Sequence, residues 1–96
     1  MERTLTFDYS PEKNTYLKKT HGISFEEIEL AIEEGGLLDI IEHPNTNKYP
    51  GQKIYVVNYN NYVHLVPFVK KSNVAFFKTI IPSRKFTKIY LSNKLL

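Results

Sequence analysis

Apolar and polar positions alternate along this chain with two different periods, and the change from one to the other divides it in half. Thr4 to Tyr9 alternates, with Leu5 and Phe7 to one side and Thr4, Thr6 and Asp8 to the other, which predicts a half-buried first strand. Ser10-Pro11 follows as an N-cap and a proline at the first helical position, so a helix is predicted from Pro11 to about Thr20. Leu17 and His21, four apart, share its face, and Gly22 is placed to end it. A second helix starts at a sharply defined point. Ser24 and Glu27 form a capping box, and Ile23 with Ile28 fits the hydrophobic staple across it. Phe25, Ile28, Ala31 and Ile32 make the apolar face, Glu26, Glu29 and Glu33 the polar one, and Gly35-Gly36 stops the helix.

Beyond Gly36 the period falls to two. Leu37 to Glu42 reads as a short strand, and the Pro-, Asn- and Gly-rich stretch from His43 to Gln52 as a loop. Lys53 to Tyr59 and Tyr62 to Val69 flank Asn60-Asn61, two residues that tolerate the positive φ of a tight hairpin turn. Tyr62, His64, Val66 and Phe68 then point one way, and Val63, Leu65 and Val69 the other. Pro67 has no N–H to give a ladder, so it is expected at an edge or a bulge. After a turn over Lys70 to Asn73, Val74 to Ile81 is predicted as a last long strand, placing Lys78 with Phe76 and Ile80 opposite Phe77, Thr79 and Ile81. Arg84 to Leu91 is expected to be a short irregular or helical segment. The sum is an α+β domain, an N-terminal strand and two helices packed on an antiparallel β-meander, with the second sheet face left for solvent, a partner or a ligand.

Composition narrows the class. A chain of 96 residues predicts one domain. The absence of cysteine excludes a disulfide framework and a thiolate metal site and agrees with a reducing compartment. No apolar run is long enough to span a bilayer, and MERTLTFDYS lacks the order of a signal peptide, so the expected location is the cytoplasm. The net charge of +3 conceals a division: residues 1–42 hold four Lys/Arg and ten Asp/Glu, residues 43–96 nine Lys/Arg and no acid. Such a dipole points to nucleic acid or an acidic partner, unless the acidic helices simply neutralise the basic sheet.

The stretch FFKTIIPSRKFTKIY, Phe76 to Tyr90, joins an apolar strand to a basic cluster. Metal-dependent nucleases need grouped carboxylates to hold ions, and the second half has none; the three histidines show no metal-ligand spacing. No metal and no cofactor are expected. A metal-free route to RNA cleavage needs a base for the 2′-hydroxyl, an acid for the leaving oxygen and cations on the phosphate. Arg84, with its planar two-toothed fork, and Lys78 suit the phosphate; His64 or Tyr90 suits proton transfer; Lys53, Lys85 and Lys88 supply further phosphate contacts. Each has a plainer alternative. Arg84 fits a pair with a helix carboxylate, Lys78 a stem laid over the core, His64 and Tyr90 packing, His21 a cap on backbone carbonyls, and His43 only a loop role.

Two segments resemble the BrnT-type toxins. Tyr9, Lys13, His21, Gly22, Ile23 and Phe25 match the family's opening, an aromatic-Asp-x-x-Lys start and a Lys-His-Gly-Ile/Val-x-Phe helix junction. Lys78, Ile80, Ile81, Arg84 and Tyr90 match its closing segment. Departures at Ser10 (usually Asp), Leu17 (Asn) and Thr20 (Lys) mark a divergent branch. The resemblance implies a RelE/ParE-like fold, growth arrest by metal-independent cleavage of RNA, a role for His21 beside the other candidates, and neutralisation by a cognate ribbon-helix-helix-type antitoxin in a hetero-oligomer built on an antitoxin dimer. Two further classes stay open: a nucleic-acid-binding module without catalysis, and a toxin-fold protein that acts on a non-RNA target or only binds its antitoxin.

Overall fold

The computed structural model of the chain describes residues 6–92, so Thr4 and Leu5 of the expected first strand lie outside the described residues. Strand β1 (Thr6–Asp8) leads into α1 (Pro11–His21) and α2 (Phe25–Ala31), whose last turn, Ile32–Gly36, widens to a π turn. Then come β2 (Leu37–Glu42), β3 (Gln52–Tyr59), β4 (Tyr62–Lys71), β5 (Val74–Phe77), β6 (Ile81–Pro82) and α3 (Arg84–Leu91). The fold is α+β.

The helix starts follow the local chemistry. Ser10 Oγ accepts from the Lys13 N–H at 3.2 Å, and Gly22, at φ 70°, closes α1 with its N–H on the Lys18 carbonyl. At α2 both halves of the capping box form: Ser24 Oγ takes the Glu27 N–H, and Glu27 Oε1 takes the Ser24 N–H at 2.8 Å. Asn14, buried inside α1, ties the two helices together. Its Oδ1 accepts from the Phe25 N–H at 2.7 Å while its Nδ2 donates to Glu26 at 2.9 Å. A buried amide is tolerated only when satisfied in this way.

The sheet order is β1-β5-β4-β3-β2, with β6 pairing β4 beyond the end of β5. β2 to β5 run antiparallel as a meander, but β1 lies parallel to β5, with Phe7 opposite Ala75. The N-terminal strand therefore extends the sheet and makes it mixed, rather than packing on an all-antiparallel meander. Asn60 and Asn61 take φ of 56° and 61° in the β3–β4 turn, as their type permits.

Helices α1 and α2 cover one face, where Leu17, Ile23, Phe25 and Ile28 meet Tyr55, Val57, Val66, Phe68, Ala75 and Phe77. Each of the buried Leu, Ile, Val and Phe side chains contributes ~1.5–3 kcal/mol by leaving water. The second face is not left open throughout. Segment 84–91 is helical, and Phe86, Tyr90 and Leu91 pack over Ile41, Val56, Val63 and Leu65.

Pro67 meets its expectation on one side only. Toward β3 it is buried in regular register with Ile54, but toward β5 and β6 it stands at an irregularity, where the neighbour carries three residues against two of β4 between the pairs Phe68–Phe77 and Leu65–Ile81. Its carbonyl accepts from the Lys78 N–H at 2.8 Å, so the side of β4 on which its own N–H is missing faces the chain after β5. The neighbour breaks there. β5 ends at Phe77, opposite Phe68, and pairing resumes only at Ile81, opposite Leu65. The predicted long strand Val74 to Ile81 is thus two short strands. The break also overturns the predicted alternation, since Ile80 is buried with Phe77 in the helix-covered core while Phe76 is exposed on the other face. Among the described residues no helix is long and apolar enough to cross a membrane.

Gly36 is pressed against two backbone carbonyls. A Cβ there would come within 2.7 Å of the Asn58 oxygen and 2.8 Å of the Ala31 oxygen. Gly36→Ala should therefore destabilise the protein by about 1–3 kcal/mol, the usual cost of overpacking, read as a lower midpoint in thermal or urea unfolding. A variant as stable as the parent would mean that the α2–β2 junction relaxes freely.

Candidate nucleic-acid interface

The face that α3 shares with β5 and β6 collects most of the predicted cations. Two backbone hydrogen bonds set its geometry. Lys78 N–H reaches the Pro67 carbonyl and Ser83 N–H the Val63 carbonyl, at 2.8 and 2.9 Å. These anchors lie four residues apart on β4, about 13 Å at ~3.3 Å per residue. Lys78 and the start of α3 are thereby held at a separation that two long cationic side chains can bridge.

Helix α3 is pinned at both ends. Ser83 Oγ accepts from the Phe86 N–H at 3.1 Å, and the Thr87 hydroxyl donates to the Ser83 carbonyl at 2.7 Å while accepting from the Val63 N–H at 2.8 Å. At the far end Tyr90 donates its hydroxyl to Asp39 Oδ2 at 2.7 Å, joining α3 to β2. With Phe86, Tyr90 and Leu91 inward, Arg84 and Lys88 share one outward line, and Lys85 and Ile89 the next. Arg84, Lys85, Lys88 and Lys78 are all exposed, and none makes an ion pair among the described residues. The glutamates of α2 belong to the opposite layer. The cations are therefore not neutralised by the acidic helices.

Beside α3 the sheet stays uncovered. Val74, Phe76 and Ile81 are exposed, and Val69, Lys71, Ser72, Val74, Phe76 and Lys78 line a cavity of about 530 Å³. Lys78 Nζ lies 5.6 Å from the centre of the Phe76 ring, close enough for a cation–π contact.

The other predicted residues are not brought to this surface. His64 points to the α1–α2 side. It is buried between Tyr59 and Tyr62, whose ring centres are 5.6 and 5.8 Å away, and its Nδ1 lies 3.1 Å from the Tyr62 carbonyl. Burial pushes its pKa down, partly offset by that carbonyl, so the ring is held neutral under cover. His21 is exposed in the last turn of α1. Lys53 lies opposite Phe68 on the helix-covered face and stands 3.9 Å from Glu42, a loose exposed pair. His43 is occupied within its loop, its Nδ1 accepting from the Asn45 N–H at 3.1 Å and its ring 4.4 Å from that of Tyr49. Tyr90 belongs to α3 but lies six residues past Arg84, about 9 Å along the helix. The hydrogen bond to Asp39, then burial, raises its pKa and keeps the phenol protonated. Arg84, Lys78, Lys85 and Lys88 therefore form one set, Tyr90 stands at its far end, and His64, His21 and Lys53 lie elsewhere.

Sequence reasoning missed Lys71 and Phe76 as parts of this surface. Lys71 was assigned to a turn, whereas β4 runs through it; extending the alternation of β4 by two residues places it with Val69. Among the described residues no three His, Cys, Asp or Glu side chains group to hold a metal ion. Compared with known proteins, the chain matches no family model, no curated protein sequence and no solved structure.

His64 also gives a pH signature. Its folded pKa lies below the ordinary 6.5. At higher pH it is neutral folded or unfolded; as pH falls through 6.5 the unfolded chain takes the proton first, and stability is lost until the folded value is passed. Between pH 7.5 and 5.5 the melting temperature of the protein should fall more steeply than that of His64→Gln. Parallel curves would mean that the ring titrates as it does in solvent.

Proposed function

We propose that this chain is an RNA-acting toxin of the BrnT kind, a RelE/ParE-like domain that binds and cleaves RNA without a metal and is neutralised by a cognate antitoxin. The observation that carries the reading is the cation set of Lys78, Arg84, Lys85 and Lys88 on one sheet face, with the glutamates of α2 on the other. The two matched segments of sequence support the family, and the order of a strand, two helices and a meander supports the fold. In the proposed reaction the 2′-hydroxyl gives its proton to a solvent base, since no histidine stands with the cations; its oxygen attacks phosphorus, the bond to the 5′-oxygen breaks with a 2′,3′-cyclic phosphate left behind, and the 5′-oxygen takes up a proton. Arg84 clamps two phosphate oxygens at once, and Lys78 adds a point charge as negative charge grows. Tyr90, at the far end of the same helix and protonated against Asp39, is the group this reading assigns as proton donor to the 5′-oxygen.

One observation favours a second reading, an RNA-binding module without catalysis: no histidine stands with the cations, and the Tyr90 hydroxyl is engaged by Asp39. Induced expression, alone and with the adjacent reading frame, separates the two when combined with purified protein and RNA in EDTA. The toxin reading expects growth arrest relieved by the neighbour and cleavage that survives chelation. Arg84→Ala and Lys78→Ala should each lower the cleavage rate about 100-fold, the scale for removing one donor to a developing anion, with unchanged melting temperature. Binding without cleavage, with the slope of log affinity against log salt reduced by about 0.7 per lost cation, selects the module. A chain that neither arrests growth nor retains RNA refutes both.

A further inference from the structure

The cavity beside α3 has a feature that phosphate binding alone does not use, an exposed aromatic ring between two lysines. Phe76 leaves 36% of its surface in water although it stands in the middle of β5, and Val74 beside it leaves 37%. Pro67 keeps this ring uncovered. Because β5 stops at Phe77, the chain leaves the sheet after the Lys78 N–H has bonded the Pro67 carbonyl, and α3 begins only after the chain has rejoined β4 at Ile81. The third helix therefore starts past Phe76 and packs over β3 and β4 instead.

We propose, on the basis of the RNA-binding reading above, that Phe76 is a stacking platform for one unpaired base of a single-stranded RNA, with Lys71 and Lys78 on the flanking phosphates. Every base presents a π-face, and an aromatic side chain set in a basic groove is the usual means of holding single strands with little regard to sequence. A duplex cannot use the ring, since its bases are already stacked. The lining of this cavity, Val69, Ser72, Val74 and Phe76 with Lys71 and Lys78, contains no acidic group, and the exposed Asp8 carboxylate that β1 sets in register with Phe76 confines a polyanion's phosphates to the side of the two lysines. The Lys78 ammonium, 5.6 Å from the ring centre, can turn to the phosphate beside a stacked base, and its stem reaches from outside the strand. The preference is thus for RNA that is open at the bound position.

The chain has no tryptophan, so Phe76→Trp places a single reporter at the site. A fluorescein-labelled single-stranded RNA 12-mer of mixed sequence, and the same 12-mer annealed to its complement, are titrated with purified protein. Phe76→Ala should weaken single-strand binding about tenfold and leave duplex binding within twofold. Phe76→Trp should retain binding, and its emission should be quenched on addition of the unlabelled single strand but not of the duplex. Equal losses for both RNAs with Phe76→Ala, or an unquenched Phe76→Trp at saturation, overturn the stacking role while leaving phosphate binding intact. A Trp signal that responds only to an acidic protein partner overturns it in favour of a protein-docking groove. If the parent protein binds neither RNA, the functional reading fails along with it. Because the side chain is exposed, both variants should fold, which unchanged melting curves would verify.

Discussion

One missing hydrogen-bond donor shapes the side of this molecule on which β5, β6 and α3 lie. A proline in a central strand leaves its neighbour without a donor, and such prolines sit at edges or bulges. Here the ladder is interrupted and the neighbour crosses the gap with three residues against two of β4. Between Phe77 and Ile81 the chain has left the ladder, Lys78 has become a loop residue anchored by its N–H to the Pro67 carbonyl, and Ile80 has turned inward to the core under α1 and α2. The short return strand then delivers Ser83 to the Val63 carbonyl and starts α3 at a fixed place. The spacing of Lys78 and Arg84, the exposure of Phe76 and the path of the last helix all descend from that gap.

The acidic half of the chain has a separate task. Glu26 and Glu27 are used by the fold: the first receives the Asn14 amide, the second closes the capping box and accepts the Tyr59 hydroxyl at 2.9 Å. Hydrogen bonds from Asn14 and from the Ser24 N–H, respectively, hold their pKa values below the ordinary carboxylate level. Carboxylates committed to the α1–α2 layer do not reach across the sheet to the basic surface. The glutamates of α2 are thus kept in a different layer from Arg84, Lys85 and Lys88, with two of them bound into the local structure that makes their helix, while Asp8 and Asp39 remain on the α3 side of the sheet.

Much of the first layer was legible because it is written locally. The cap at Ser10, the box of Ser24 and Glu27, the αL glycine at 22 and the Asn60-Asn61 turn are decided by neighbours in sequence, and each formed as the residue types require. The alternation of Tyr62, His64, Val66 and Phe68 was also legible, since period two holds wherever a ladder is continuous. What escaped was non-local. Pro67 reads as an edge residue until it is known that the adjoining strand can break opposite it. The inward turn of Ile80 depended on that break, while Lys78 kept the side of Phe76 that the alternation gave it. The parallel pairing of β1 with β5 joins Phe7 to Ala75, a contact no local pattern announces. The cations were found from charge alone, but their separation from His64 required the register of β4.

Helix α3 breaks an ordinary rule at its start. The partial positive charge of a helix N-terminus favours acids in the first turn and disfavours cations. Arg84 and Lys85 occupy that turn and no acid accompanies them, although α2 opens with Glu26 and Glu27 as the rule prescribes. The first turn of α3 is therefore less stable than it would be with carboxylates there, and the pinning of Ser83, Thr87 and Tyr90 offsets the loss from elsewhere. Departures of this kind from local consistency are expected at functional or strained positions. An anion over the first turn of α3 would remove the conflict, meeting both the guanidinium and the helix end. The unfavourable placement is thus what the proposed phosphate contact would relieve.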